Sequence, residues 1–336
     1  MTTAKDMRVV RLAAIPAAGL AAVSRTGLDR PLTNSAELVV AVPSDEALIL
    51  GSMQRLSELD AAGIDPSKLV TRRGSGGAEV SIGPGTVWIQ LALTSPSALV
   101  ACEPDRLINR YVRPLLLALA KVGAVAHYFD RDWVSAAKSP VAAVSFGHDT
   151  GTGRALVEAF VAVTTPFAVR DRASFLGKPP RTLRELLAVD RLTDHPVDPG
   201  RVADAVIDAY TAAYGIGELS LDTASEMTLD LSQDYAGGAA DAPRNDPPWS
   251  ATRHEAIGLV AAGRDREGRL RVGGELMASR DVMARLESEI AAAAVGGQID
   301  GARIDRAVDT LAAPGVAMLG VRTLQTIRDA IQEALQ

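Results

Sequence analysis

The segment from residue 72 to residue 86, RRGSGGAEVSIGPGT, most constrains the fold of this chain, because five glycines stand there beside two arginines. Strand-like runs flank it, LVT at 69–71 and TVWIQLAL at 86–93. Glycine allows positive φ and close backbone approach, so the segment can bring backbone N–H groups up to an anion or can form two tight turns in a sheet. No Lys-Ser or Lys-Thr follows it, as one would in a nucleotide phosphate loop.

Hydrophobic patterning predicts an α+β fold, a mixed β-sheet with flanking helices, followed by a small α/β domain. The run at 37–53 has two apolar stretches around a Pro-Ser-Asp turn and predicts a hairpin. Three β-rich runs follow between 125 and 169, with GHDTGTGR at 147–154 as a hairpin turn. The helices predicted from apolar spacing in the first domain span 104–124, 181–189 and 200–215.

The composition changes between residues 218 and 249, where acidic residues, a Gly-Gly pair and a Pro-Pro pair accumulate. Such a stretch is typical of a linker or a long loop. We therefore predict a first domain at 1–217, a linker at 218–249 and a C-terminal accessory domain at 250–336.

The charge balance argues against a polyanionic partner, because 35 basic and 41 acidic residues give a formal charge of −6. No apolar run approaches the roughly 18 residues of a membrane span, and Pro16 interrupts the mild apolar run at 12–24 that could imitate a secretory signal. We expect a cytoplasmic protein that binds neither nucleic acid nor membrane. The single cysteine, Cys102, excludes an internal disulfide, and the four histidines lack metal-ligand spacing.

The arginine-glycine segment resembles the RRxSGGGAVxHxxG signature of the lipoate-protein ligase family, within the biotin and lipoate ligase superfamily. Weaker similarities extend over most of the chain. LVVAVPSDEALILGSMQ is similar to the strand pair ahead of that signature, and DRDWV at 130–134 resembles the family's GRND strand start. The strands and first helix after residue 254 resemble the accessory domain of these ligases.

This resemblance implies an enzyme that uses ATP and Mg²⁺ to activate a carboxylic acid such as lipoate or octanoate. The acyl-adenylate would then acylate a lysine on a small lipoyl or biotinyl carrier domain. Arg73 and the loop amides would face the phosphate, and two valines would line an acyl tunnel. Asp132 would lie near the nucleotide as a candidate magnesium ligand. The ligand-binding residues implied in this way are Arg73, Ser75, Gly76, Gly77, Ala78, Val80, Gly83, Gly85, Asp132 and Val141.

Several positions depart from the family pattern. The family's essential lysine begins a strand whose first position here is Pro140, which carries no ammonium group. Lys138, two residues earlier, is the nearby substitute, and strand alternation would place it on the same face. Ala78 and Glu79 replace small residues of the loop, and Glu158 ends the stretch that replaces a His-His-Gly-Thr motif. Carboxylates near a phosphate would repel it.

Three functions are compatible with these residues. The leading one is ATP-dependent acyl transfer to a carrier lysine, and the alternative is a catalytically silent ligase paralogue that binds a carrier domain or its cofactor. An adenylate-independent acyltransferase with Cys102 as nucleophile ranks below both. The basic run RDRASFLGKPPR at 170–181 is a further hypothesis, a docking surface for an acidic carrier.

Overall fold

The computed structural model describes residues 6–57, 69–167, 187–215, 218–220, 247–255, 258–293 and 300–336. Along the chain, the strands are β1 (Met7–Ile15), β2 (Ala36–Pro43), β3 (Ala47–Leu50), β4 (Leu69–Arg72), β5 (Val80–Ile82), β6 (Thr86–Leu93), β7 (Ala126–Tyr128), β8 (Trp133–Ala136), β9 (Ser139–His148), β10 (Ala155–Ala162), β11 (Glu218–Ser220), β12 (Ala251–Glu255), β13 (Gly258–Arg264), β14 (Leu270–Gly274), β15 (Met277–Ala278) and β16 (Met318–Leu319). The α-helices are α1 (Ala17–Thr26), α2 (Leu107–Tyr111), α3 (Arg113–Lys121), α4 (Pro199–Tyr214), α5 (Arg280–Ala293), α6 (Gly301–Asp309) and α7 (Leu324–Leu335).

A mixed sheet of eight strands forms the centre, in the order β11-β1-β2-β6-β10-β9-β8-β7. The pairs β1–β2 and β1–β11 are parallel, and the other pairs are antiparallel. Strands β6 and β10 are buried along their whole length, which explains why both read as continuous apolar runs in the sequence. This confirms the predicted α+β class with a mixed sheet and flanking helices.

Each face of the large sheet packs against a different layer. Helices α2, α3 and α4 cover one face, where Tyr111 and Leu119 are fully buried. Helix α1 and a small sheet in the order β4-β3-β5 cover the other face. Trp88 and Phe160 lie between those layers with ring centroids 4.8 Å apart. The arginine-glycine segment runs through this second layer.

The C-terminal part has its own sheet, β12-β13-β14, packed against α5, α6 and α7 around a separate apolar core. It is also fixed to the large sheet. His148, at the end of β9, forms a parallel bridge with Ser279, and Arg280 Nε lies 2.8 Å from the Asp149 carboxylate. Met277 belongs to the core of the large sheet.

The predicted hairpin at 37–53 is wrong, because β2 and β3 belong to different sheets. The residues between β2 and β3 contact the start of α1 instead. The Asp45 carboxylate accepts a hydrogen bond of 2.6 Å from the backbone N–H of Ala17, the first residue of that helix. The chain therefore crosses from one layer to the other where the sequence shows only a turn.

The predicted helix at 104–124 is divided into a 3₁₀ turn, α2 and α3. Pro114 has no N–H for the carbonyl of Arg110, and the Tyr214 hydroxyl donates to that carbonyl at 3.3 Å. The hairpin turn between β9 and β10 and the helix at 200–215 are confirmed. The predicted helix at 181–189 and the basic run at 170–181 lie largely outside the described residues.

The domain boundaries remain a prediction, with two relevant observations. Strand β11 joins the large sheet beside β1, so that sheet continues past residue 217. Residues 221–246 of the predicted linker lie outside the described part of the chain, which resumes at residue 247. Among the described residues, no helix is long and apolar enough to cross a bilayer.

Candidate functional site

The arginine-glycine segment has every backbone N–H from residue 73 to residue 77 engaged with another part of the protein. The five amides of Arg73, Gly74, Ser75, Gly76 and Gly77 donate at 2.7 to 3.3 Å. Their acceptors are, in order, Leu50 O, Ser24 Oγ, Glu158 Oε2, Phe146 O and Leu276 O. A phosphate held by this segment would need some of these same donors, and they are already used.

The glycines are required by close backbone packing. A Cβ on Gly74 would lie 2.3 Å from Ser24 O, and one on Gly76 would lie 2.7 Å from Leu276 O. Gly51, at the end of β3, faces the segment, and its Cβ would lie 2.0 Å from Gly77 O. Gly77 also has φ +89°. The segment is therefore the junction at which α1, β3, β9 and the C-terminal domain meet.

Gly83 and Gly85 lie apart from this junction, in the tight turn between β5 and β6. The Thr86 amide donates to Gly83 O at 2.9 Å, and a Cβ on Gly85 would clash with Thr165 Oγ1 at 2.3 Å. The sequence allowed two structures for the glycines, an anion-binding loop or two tight turns. Residues 83–85 form a tight turn, as the second alternative predicts. Gly74, Gly76 and Gly77 instead form a junction within the protein, which is neither of the two.

Arg73 donates four hydrogen bonds to its own loop and to β3. Its Nε donates to Ser75 Oγ at 2.9 Å, and its terminal nitrogens donate to the carbonyls of Ile49, Gly76 and Ala78. Burial lowers the pKa of Arg73 to about 10, so the guanidinium stays charged at neutral pH. This side chain stabilises the loop conformation, where a phosphate contact was predicted.

Glu158, which the sequence marked only as a carboxylate near the expected phosphate, is the centre of a buried hydrogen-bond network. It is completely buried on β10, and its Oε1 accepts from Trp88 Nε1 at 2.8 Å. Its Oε2 accepts from the Ser75 amide and from the Ser75 hydroxyl. Burial raises the pKa of Glu158, while the charge of Arg73 and the Ser75 hydrogen bond act in the opposite direction. A single acidic residue within ALVEAFVA was the available sequence signal.

Two hydroxyls complete this buried network. The Ser75 hydroxyl donates to Glu158, so the Ser145 hydroxyl, 2.7 Å away, is its donor. The Ser24 hydroxyl accepts from the Gly74 amide and also bonds to Glu158. Carboxylate, guanidinium and hydroxyls thus occupy the space beneath the glycine segment.

The prediction that Lys138 lies on the strand face is wrong. Ala137 and Lys138 have φ +48° and +68° and form the two-residue turn between β8 and β9, where Lys138 is exposed. Pro140 is buried at the start of β9, opposite Ser135. The substitute lysine therefore projects from a hairpin tip and not from the sheet surface.

We expect Lys138→Gly to raise the free energy of unfolding by about 0.5 to 1 kcal/mol. The left-handed conformation costs a non-glycine residue about 1 to 2 kcal/mol, and the greater freedom of glycine in the unfolded chain offsets about 0.4 to 1 kcal/mol of that gain. Urea denaturation monitored by tryptophan fluorescence measures this change. Lys121→Gly is the comparison, because Lys121 is the last residue of α3 and pairs with Asp208, so this change should destabilise the protein by about 1 kcal/mol or less. A destabilised Lys138→Gly protein would contradict the turn geometry.

The remaining predicted ligand residues do not converge on one tunnel. Val80 packs in the core on the α1 face of the large sheet, and Val141 packs in the core on the helical face. Ala78 is half-buried beside the junction. Sequence patterning predicts that these side chains are buried, and the fold determines that they are buried on opposite sides.

Asp132 is buried near the start of β8, and its backbone carbonyl accepts from the Val144 amide at 2.9 Å. Within the described ranges, no group of three or more His, Cys, Asp or Glu side chains could hold a metal ion. The magnesium role predicted for Asp132 therefore has no supporting ligand set in that part of the chain.

Cys102 is a structural thiol. Burial raises its pKa to about 11, which keeps it protonated at neutral pH. Its Sγ donates to Glu103 O at 3.2 Å. A thiolate nucleophile is not available here.

Solved structures with the same arrangement of strands and helices are lipoate-protein ligases. LipL1 of P. falciparum, in complex with lipoate, superposes with a TM-score of 0.64 at 11% identity, covering 97% of this chain and 99% of LipL1. The chain has the lipoate-protein ligase fold. Lipoate-protein ligase A bound with ATP gives a TM-score of 0.52 at 18% identity, covering 68% of this chain and 93% of that one.

A third ligase structure agrees. The bi-partite lipoate protein ligase from Thermoplasma acidophilum, studied with its E2 lipoyl domain, gives a TM-score of 0.52 at 17% identity, covering 68% of this chain and 91% of that one. No protein-family model matches the chain, and no curated protein matches it in sequence. The TM-scores establish the lipoate-ligase fold, and identities of 11 to 18% carry no information about the reaction that this chain performs.

Proposed function

We propose that this chain is a catalytically silent protein with the lipoate-ligase fold, which binds a lipoyl or biotinyl carrier domain, or the acyl group that such a domain carries. The observation that carries the proposal is the closed junction at residues 73–77, whose five amides all donate within the protein. Acid activation needs donors that are free to meet the phosphate as charge develops.

The charges beneath the junction support the same conclusion. Glu158 contributes a buried carboxyl group where an anionic adenylate would have to approach. Arg73 already donates hydrogen bonds to residues of its own loop. Pro140 occupies the position where the ligases are expected to have their lysine. The residues present therefore do not fit ATP at this site, and we derive no adenylation step for them.

The carrier domain is proposed from the fold neighbours. The Thermoplasma acidophilum ligase was studied with its E2 lipoyl domain, and LipL1 was solved with lipoate. A fold that has lost acid activation can retain recognition of the acylated partner, because the surface that meets a carrier is separate from the donors that meet a phosphate.

Pyrophosphate exchange into ATP tests the proposal that the protein does not activate a carboxylic acid. The purified protein with Mg²⁺ and ATP is offered lipoate, octanoate and biotin in turn, and we expect exchange indistinguishable from a protein-free blank. Loss of one preorganised donor costs a factor of about 10² to 10³ in rate in enzymes that rely on such donors, and here several are occupied. A stoichiometric burst of acyl-adenylate with any of these acids would overturn the assignment.

A separate measurement tests the partner. Biolayer interferometry with an immobilised lipoyl domain, in its apo and lipoylated forms, should show saturable binding of the protein. Absence of binding to both forms and to a biotinyl domain would overturn the carrier assignment, whatever the exchange result.

One observation favours a second candidate, the ATP-dependent acyl-carrier ligase itself. The Gly77 amide and the surface at Gly76 are covered by Leu276 and Met277 of the C-terminal domain, and not by the sheet. A displacement of that domain would uncover one amide of the junction. The burst experiment decides between the two candidates.

A further inference from the structure

A cleft separate from the glycine junction lies between the end of β3 and the β13–β14 hairpin, with a volume of 570 Å³. Six arginines and three carboxylates line it, in a chain whose net charge is −6. One of the six, Arg280, is paired with Asp29 and Asp149 outside the cleft, so five arginines face three carboxylates. The arginines are Arg55, Arg72, Arg266, Arg269, Arg271 and Arg280. Apart from Arg72, which begins the arginine-glycine segment, none of these was singled out by the sequence as part of a binding site.

Two of the three carboxylates of this cleft are more hidden than the arginines that pair with them. The side chain of Asp265 is 6% exposed and that of Glu287 is 17% exposed. Arg269 and Arg271, which both bond to Asp265, are 58% and 38% exposed. The cleft therefore presents positive charge to solvent and places part of the balancing negative charge behind it. Glu267, at the rim, is the exposed exception.

The guanidinium groups of Arg269 and Arg271 retain donors that can meet a ligand. Each has five N–H groups. Arg269 donates from Nε to Asp265 and from one terminal nitrogen to Glu267. Arg271 donates from Nε to Asp265 and from one terminal nitrogen to Glu287. Because one oxygen of Asp265 accepts from both Nε atoms, at 2.9 and 3.0 Å, the two guanidinium groups are fixed side by side.

The floor of the cleft is rigid. Arg55 is 5% exposed, stacks under the Trp249 ring at 3.6 Å, and donates to the carbonyls of Pro247, Gly263 and Arg264. Its charge lies in a region of low dielectric and acts strongly on whatever enters. Fixed guanidinium forks match the oxygen atoms of phosphates, and the volume suits a small ligand.

We propose that this cleft binds a small anion with two or more adjacent phosphate groups, between the glycine junction's domain and the C-terminal domain. The guanidinium groups of Arg269 and Arg271, fixed side by side, favour adjacent phosphate groups over the separate carboxylates of an acidic protein surface. This site is independent of the proposed function, because its residues are not those of the junction at 73–77.

Isothermal titration calorimetry of the whole protein with inorganic pyrophosphate and tripolyphosphate tests the proposal, at constant ionic strength set with chloride. We expect saturable one-site binding, tighter for tripolyphosphate. The double variant Arg266→Gln with Arg269→Gln should weaken binding about tenfold or more, because each charge-assisted hydrogen bond contributes substantially. Both positions are exposed on the hairpin, so folding should be preserved.

The matched control is Arg303→Gln with Arg322→Gln, which removes the same charge from the same domain outside the cleft. It should leave the dissociation constant within about twofold, as expected for screened surface charges. Absence of pyrophosphate and tripolyphosphate binding, or equal weakening in both double variants, would overturn the proposal. Tighter binding of an oligoglutamate peptide than of either phosphate probe, with the same arginine dependence, would overturn the phosphate class in favour of an acidic protein segment.

Discussion

Replacing Glu158 with alanine should lower the free energy of unfolding by about 3 to 5 kcal/mol, the effect expected when one member of a buried charged network is removed. The substitution leaves the Trp88 indole N–H and the Ser75 amide without their acceptor and leaves the buried charge of Arg73 without its nearby carboxylate. Guanidinium denaturation, followed by tryptophan fluorescence and by circular dichroism, measures the change.

Two comparisons make this result specific. Glu158→Gln keeps the shape and one acceptor oxygen but removes the charge, so we expect an intermediate loss. Glu289→Ala removes a half-exposed carboxylate paired with Arg303, and such surface pairs contribute about 1 kcal/mol or less. If Glu158→Ala were no more destabilising than Glu289→Ala, the closed network beneath the glycine segment would be refuted.

Gly51→Ala should destabilise the protein by about 3 kcal/mol or more, at or above the upper end of the range for overpacking a rigid site. The added methyl group would lie 2.0 Å from Gly77 O, a backbone atom that cannot rotate away. Thermal unfolding measured by calorimetry should show a clearly lower transition temperature.

Gly301→Ala is the matched control, because it lies at the start of α6 and a Cβ there meets nothing within 4 Å. Alanine in a helix restricts the unfolded chain and should stabilise by about 0.4 to 1 kcal/mol. Opposite signs for the two Gly→Ala changes are therefore expected. A tolerated Gly51→Ala would mean that the junction can open by more than an ångström.

Much of the fold could be predicted from the sequence because it depends on local pattern. The amphipathic run at 200–215 forms α4, and GHDTGTGR forms the turn between β9 and β10. The burial of Val80 and Val141 was also predictable. Their separation onto opposite faces was not, because alternation along a strand indicates that a side chain is buried without indicating which layer covers it.

The candidate site could be predicted only in part. The glycines at 74–77 indicated close backbone approach, but the groups that approach are Ser24, Phe146 and Leu276, which are remote in sequence. Lys138 could not be placed from the sequence for the same reason. Its spacing from Pro140 predicted a position on the strand, but Lys138 lies at the tip of the hairpin, in the turn between β8 and β9. Tertiary partners, not local pattern, determine what these residues do.

The contact between Gly77 and Leu276 limits how far the C-terminal domain can be exchanged between chains. Met277 completes the core of the large sheet, and the Leu276 carbonyl accepts the last of the five junction amides. The C-terminal domain is therefore not an interchangeable module that recombination could remove or replace without damage to its neighbour. We therefore expect a bulkier residue at Gly76 or Gly77 to be tolerated only with a compensating change near Leu276 and Met277.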